Sequence, residues 1–129
     1  LPEFNHLFDG AIELLEYLKP KYKLHIITNG FASVQTRKLE NSNIGHYFET
    51  ITNSEMAGVK KPHRDIFDFA LSLANASREE SIMIGDSYEA DVIGAIEAGI
   101  EAVFFNEHNI TVEKPVLQVN HLLELKNIL

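Results

Sequence analysis

The chain has no cysteine. Disulfides and thiolate metal sites are therefore excluded, and a reducing compartment fits. Positive charge is also scarce: 11 lysines and arginines stand against 19 aspartates and glutamates, a formal net charge of −8. An acidic surface repels a phosphate backbone, so non-specific nucleic-acid binding is disfavoured, although one small phosphate or one cation can still be held locally. No apolar run approaches the ~20 residues of a membrane span, and the N-terminus lacks the basic, apolar, small-residue order of a signal peptide. These absences set the expectation of a cytoplasmic protein with neither nucleic acid nor membrane as partner. Repeats, low-complexity tracts and convincing linkers are missing too.

What is present suits a compact fold. The 129 residues are 45% hydrophobic and 23% charged, enough for one domain with a real core. Ile12, Leu14, Leu15 and Leu18 mark a helix over residues 10–19, with Asp9 as its N-cap and Pro20 as its stop. Leu24-His25-Ile26-Ile27 reads as a short buried strand ending in Thr28-Asn29-Gly30, and a helix follows over residues 32–40. A weaker strand covers residues 48–51, and a loop then runs through Gly58, Lys60, Lys61 and Pro62. Ile66, Phe67, Ala70, Leu71 and Leu73 mark an amphipathic helix. Residues 81–84 form a strand entering Gly85-Asp86-Ser87, with a helix from about Glu89 to Ala98 closed by Gly99. Residues 102–105 are another strand, 106–114 a polar loop and 121–128 a short final helix. This alternation argues for an α/β fold with a parallel sheet and helices on both faces.

Ligands of open parallel sheets sit beyond the carboxyl ends of the strands. Three polar signals fall there. Thr28-Asn29-Gly30 offers a hydroxyl and backbone N–H groups at a helix start, which suits an anion, although such a turn is by itself most often only a turn and cap. Lys61 before a helix can neutralise phosphoryl charge, although solvated lysines are common and Lys60 competes, with Pro62 deciding which of the two points inward. Asp86 ends a strand where a carboxylate suits Mg²⁺, a hard cation that prefers oxygen, and Asp91 lies in the first turn of the next helix, where the helix dipole alone would favour it. The bland readings of hydroxyl, lysine and acid must coincide three times to hold. His6, His25, His46, His63, His108 and His121 have no ligand spacing, and His25 reads as a packed or hydrogen-bonded strand residue.

These segments resemble a known family. Leu24 to Gly30 is similar to the second motif of the haloacid dehalogenase-like hydrolases, Gly58-Val59-Lys60-Lys61-Pro62 leading into Ile66-Phe67 to the third, and Ile82-Met83-Ile84-Gly85-Asp86-Ser87 with Asp91 to the fourth. Gly94-Ala95 and Ala98-Gly99 fit as well, so the resemblance covers roughly residues 8 to 106. Thr28-Asn29-Gly30-Phe31 and the stretch near Lys61 look like the pyrimidine 5′-nucleotidase branch. The resemblance implies a three-layer Rossmann-like core and a Mg²⁺-dependent phosphohydrolase working on a small phosphorylated metabolite, with a nucleoside 5′-monophosphate as one candidate. It implies a nucleophilic aspartate that becomes an aspartyl-phosphate and a second aspartate two residues on as acid and base. Thr28, Asn29, Gly30 and Lys61 would bind phosphate, with Thr28 and Lys61 also serving the chemistry, and Asp86 and Asp91 would serve the metal.

One family motif is not found. Nothing in residues 1–129 fits an apolar strand ending in Asp-x-Asp. Phe8-Asp9-Gly10-Ala11 has an acid and a glycine, but Leu7 stands where the nucleophile belongs. The expectation is a single partial core domain over residues 1–129, carrying the second, third and fourth motifs without the first strand or the cap domain, and inactive alone. Because that strand is central in the family, its place would be taken by an N-terminal segment of the same protein or by a second copy, unless the two flanking strands pair directly. A receiver-like phosphoacceptor domain is the rival, but its residues run acid, acid, hydroxyl, lysine, whereas here the order is Thr28, Lys61, Asp86. A chain that only binds Mg²⁺ or phosphate is the non-enzymatic alternative. A dinucleotide-binding domain lacks its Gly-x-Gly-x-x-Gly.

Overall fold

The computed structural model describes residues 10–29 and 45–129. The expected helix over 32–40, the Asp9 cap, His6, the residues around Leu7 and Gly30 lie outside them. Five strands are parallel where they pair: β1 (Leu24–Thr28) with β2 (Phe48–Asn53), and β3 (Ile82–Gly85) with β4 (Glu101–Phe105), which pairs in turn with β5 (Leu117–Val119). The register sets Thr28 opposite Asn53 and Gly85 opposite Phe104, so β1 and β2 end in polar residues and β3 ends in a glycine at the carboxyl edge.

Helices cover both faces. Ala11–Leu18 buries Leu14 and Leu18 against Val103, Phe105, Val119 and Leu125. On the other face, Arg64–Ala74 buries Ile66 and Phe67 with Ala95, Ala98 and Ile100. Along β3 the side chains alternate between these layers, as the two-residue period requires. Ile82 and Ile84 enter the first cluster and Met83 the second. β1 feeds the same two clusters through Leu24 and Ile27, so one pair of cores clasps both ladders. The three-layer α/β expectation holds.

The ladders are nevertheless separate: the sheets are β1–β2 and β3–β4–β5, and β1 does not hydrogen-bond to β3. Direct pairing of the two strands, one of the three solutions open from the sequence, is not what the chain adopts. The apolar residues Leu24, Ile26 and Ile27 of β1 and Ile82, Met83 and Ile84 of β3 stay only half-buried. Strands inside a parallel sheet are normally covered on both faces and paired on both edges.

Several boundaries differ from the sequence expectations, each for a local reason. The first helix starts at Ala11, preceded by Gly10 at the N-cap with φ 82°, a left-handed conformation favoured by glycine. A helical turn at Ser54–Ala57, unexpected from the apolar pattern, is capped by Asn53, whose Oδ1 accepts from the Met56 N–H at 3.0 Å. The segment after Ser87 begins as a π-turn over Tyr88–Ile93 before becoming α-helical at Gly94–Glu97. β5 is too short and too exposed to show an apolar alternation. The terminal segment Leu122–Asn127 is a 3₁₀ helix with His121 and Glu124 forming a capping box. Among the described residues no helix is long and apolar enough to cross a membrane.

His25 lies opposite Thr50 across the β1–β2 ladder, with its Nδ1 2.8 Å from Thr50 Oγ1. Burial lowers its pKa from 6.5; Glu49 opposes the shift and Lys23 adds to it. The unfolded chain therefore takes up the proton first as pH falls. The stability tied to His25 is complete above 6.5 and is lost as pH drops through 6.5 toward the lower folded value. Thermal unfolding followed from about pH 7.5 to about pH 5.5 should show a steeper acid decline for the wild type than for His25→Gln. Equal declines would contradict this assignment.

Candidate active site

The candidate residues gather at the carboxyl edge of the two ladders, and direct bonds tie most of them together. Lys61 is only 5% exposed while Lys60 is exposed, so Lys61 is the lysine that turns inward. Its ammonium donates to Asp91 Oδ1 at 2.5 Å and to the Ile27 carbonyl of β1 at 3.2 Å. Both side chains of this ion pair are essentially removed from water, at 1% and 0% exposure. A charge-assisted bond of this length is among the stronger polar contacts available to a protein.

Asp91 uses its other oxygen as well: Oδ2 accepts from the Ser87 N–H at 3.1 Å. The π-turn makes this possible. Val92 N donates to Ser87 O across the wider turn, and Ser87 Oγ accepts from Ala90 N, which brings the Asp91 carboxylate back over Gly85 and Ser87. Gly85 is required there because any Cβ on it would run into the Asp91 side chain.

Asn29 reaches Lys61 from the other side: its Oδ1 accepts from the Lys61 N–H at 2.8 Å, and its Nδ2 donates to the Lys61 carbonyl at 3.4 Å. Its own carbonyl accepts from Ser54 Oγ at 3.2 Å. Thr28, 1% exposed, ends β1 directly before it. Asp86 follows β3, is half-buried and makes no side-chain hydrogen bond among the described residues. The direct bonds thus join Asn29, Lys61 and Asp91, while Thr28 and Asp86 adjoin this group through the chain.

Mg²⁺ can be tested against these donors. Asp86 keeps a carboxylate without a side-chain bond among the described residues, as a ligand of a hard cation should. Asp91 has a protein donor on each oxygen, so its fit is to orienting the site. No group of three acidic or histidine side chains that could hold a metal occurs among the described residues, so Asp86 fits as one ligand of a set and not as a site by itself. The histidines serve elsewhere: His63 Nδ1 accepts from Asp65 N, and His121 Nδ1 from Leu123 N. An open concavity of about 630 Å³ lies along the loop after β4, walled by Asn109, Lys114, Pro115 and Gln118, and none of the candidate residues lines it.

The sequence reading missed three supports: the Asn29 side chain, the Ser87 amide and the reason for Gly85. Polar residues on either side of a strand end were the only signal for the first two. The third needed the π-turn. Gly85→Ala should cost ~1–3 kcal/mol of stability through the collision with Asp91, read by chemical denaturation. A loss below ~0.5 kcal/mol, the usual range of a neutral surface change, would show that Asp91 does not pack there.

The model of the haloacid dehalogenase-like hydrolase family matches residues 3–105. The pyrimidine 5′-nucleotidase YjjG of Escherichia coli is 38% identical over 93% of the chain and 55% of its own length. A glyceraldehyde 3-phosphate phosphatase of Methanothermobacter thermautotrophicus is 33% identical over 89% of the chain and 51% of its own length. Among solved structures, the HAD-hydrolase YfnB of Bacillus subtilis, bound to magnesium, superposes with a TM-score of 0.89 at 31% identity, covering 95% of the chain and 56% of that protein. The chain thus spans about half the length of the curated relatives it matches. With the second, third and fourth motifs gathered at one sheet edge and the family model matching most of the sequence, the chain belongs to the haloacid dehalogenase-like hydrolases.

Proposed function

We propose that the chain forms the phosphate-binding and lysine-bearing part of a Mg²⁺-dependent phosphohydrolase acting on a small phosphate monoester, with a nucleoside 5′-monophosphate as the first candidate substrate. The observation that carries the reading is the buried Lys61, held between β1 and Asp91 at the edge where Thr28 and Asp86 also end their strands. Similarity to YjjG and to the pyrimidine 5′-nucleotidase PynA of Streptococcus pneumoniae favours the nucleotide. The cytoplasm, where such metabolites are abundant, is the compartment we assign.

In this reading Thr28, with the backbone amides of Asn29 and Gly30, receives the phosphoryl oxygens. The Lys61 ammonium has three N–H donors, two of which serve Ile27 and Asp91; among the described residues the third is left for an anionic oxygen. Its charge offsets the negative charge gathered around the transferring phosphoryl group. Asp86 is the ligand this chain would give to Mg²⁺, and Asp91 holds Lys61 in place. Bound there, Mg²⁺ would supply positive charge that offsets the negative charge of the reacting phosphate. The attacking carboxylate comes from an aspartate outside this chain. Its oxygen bonds to phosphorus as the ester P–O bond breaks, and the alcohol leaves with a proton from the second aspartate. Water, deprotonated by that aspartate, then releases inorganic phosphate and restores the carboxylate.

The space for that aspartate has a natural location. Among the described residues β1 and β3 each keep one edge without a strand partner, and the same two cores clasp both. A parallel strand from an N-terminal segment of the same protein would satisfy both edges and end beside Lys61; a second copy of the chain is the other possible donor. The chain alone is then inactive, able at most to bind Mg²⁺ or phosphate weakly.

The test is phosphate release from a nucleoside 5′-monophosphate by a longer protein that includes the aspartate-bearing strand. Activity should require Mg²⁺, vanish with a chelator and fall by roughly 100-fold or more in Asp86→Asn. Turnover by the isolated chain that survives Asp86→Asn would overturn the reading.

A further inference from the structure

We infer that Asn29 is a positioning residue whose side chain sets the place of Lys61, an inference that rests on the function proposed above. An asparagine in the turn after a strand usually serves its own turn or the next helix. Here both polar atoms of the amide are spent on the backbone of one distant residue, 32 positions away in sequence: Oδ1 on the Lys61 N–H at 2.8 Å and Nδ2 on the Lys61 carbonyl at 3.4 Å. Donor matches acceptor and acceptor matches donor, so the amide imitates a rung of sheet pairing where the chain has no strand. The grip is anchored in turn, because Ser54 Oγ donates to the Asn29 carbonyl at 3.2 Å and Asn29 directly follows β1.

A lysine is a poor positioning device unaided. Its long stem has many rotamers to lose on being fixed. Lys61 is held at both ends instead: Asn29 fixes its backbone, and Ile27 and Asp91 fix its ammonium. Ile27 and Asn29 flank Thr28 on the same strand end, so one short segment of chain references both the start and the tip of the lysine to the phosphate-binding hydroxyl. Asn29 acts through Lys61, with its side chain directed to the peptide and not to a substrate group.

A double-mutant comparison in the longer, active protein separates this role from a substrate contact. Asn29→Ala should lower kcat by ~10–100-fold, the cost of a misplaced catalytic group, with little change in KM. In a Lys61→Ala background the same substitution should cost nothing further. Asn29→Asp keeps the acceptor of the shorter bond and should restore most of the lost rate. Independently of turnover, hydrogen exchange at the Lys61 amide should accelerate in Asn29→Ala and not in Asn29→Asp. An equal loss in both backgrounds would make Asn29 a substrate ligand and overturn the inference, as would unchanged exchange at Lys61. If activity requires Lys61 and Asp86 but Asn29→Ala is silent, this inference alone falls. A protein that hydrolyses no phosphate ester removes the proposed function and the positioning role with it.

Discussion

The ion pair between Lys61 and Asp91 holds together parts of the chain that, among the described residues, no strand pairing joins. Lys61 lies in the loop before the helix Arg64–Ala74, Asp91 in the turn after β3, and the ammonium also bonds to β1. The two ladders share no backbone hydrogen bond, so at their carboxyl edge this buried cation is a polar link between them. Its local demands explain much of what surrounds it. Asp91 must sit over Gly85, which forbids a Cβ there. Ser87 must turn its N–H toward the carboxylate, which the π-turn permits. Burying two charges is costly unless their geometry is good and their remaining bonds are made; here each oxygen of Asp91 has a donor.

The same arrangement bears on the chemistry. A lysine already held by a carbonyl and a carboxylate need not reorganise when charge builds on a phosphoryl group. In the proposed reading, such pre-arrangement is where the site would gain most. The separation of the ladders and the need for a nucleophile also meet at one place. The strand that would complete the sheet is the one that would deliver the attacking aspartate beside Lys61, so folding and catalysis would be completed by one event.

Much of the fold was legible in the sequence because its signals are local. Ile82-Met83-Ile84 before Gly85, and the apolar spacing from Ile66 to Leu71, announce a strand and a helix without tertiary help. The candidate residues were legible because Thr28, Lys61 and Asp86 each follow or adjoin an element end in an α/β alternation. The rest was hidden for physical reasons. The π-turn at Tyr88–Ile93 accompanies the contact of Asp91 with the distant Lys61, which no local pattern announces. β5 depends on β4 for its pairing and on Val119 for its burial, with too few residues to show a period. The grip of Asn29 on Lys61 spans 32 residues and has no pattern in either segment alone. The choice of Lys61 over Lys60 follows from burial, which the sequence only framed as a choice.

The buried pair can be examined directly by equilibrium denaturation of Lys61→Met, Asp91→Leu and the double variant. Each single change strands one charge in the interior and should cost ~3–5 kcal/mol, whereas the double change removes both charges and should cost much less than the sum. Single losses that are below ~1 kcal/mol and simply add would contradict the account, because they would mean that Lys61 and Asp91 are solvated apart and that the edge of the two ladders is held by something else.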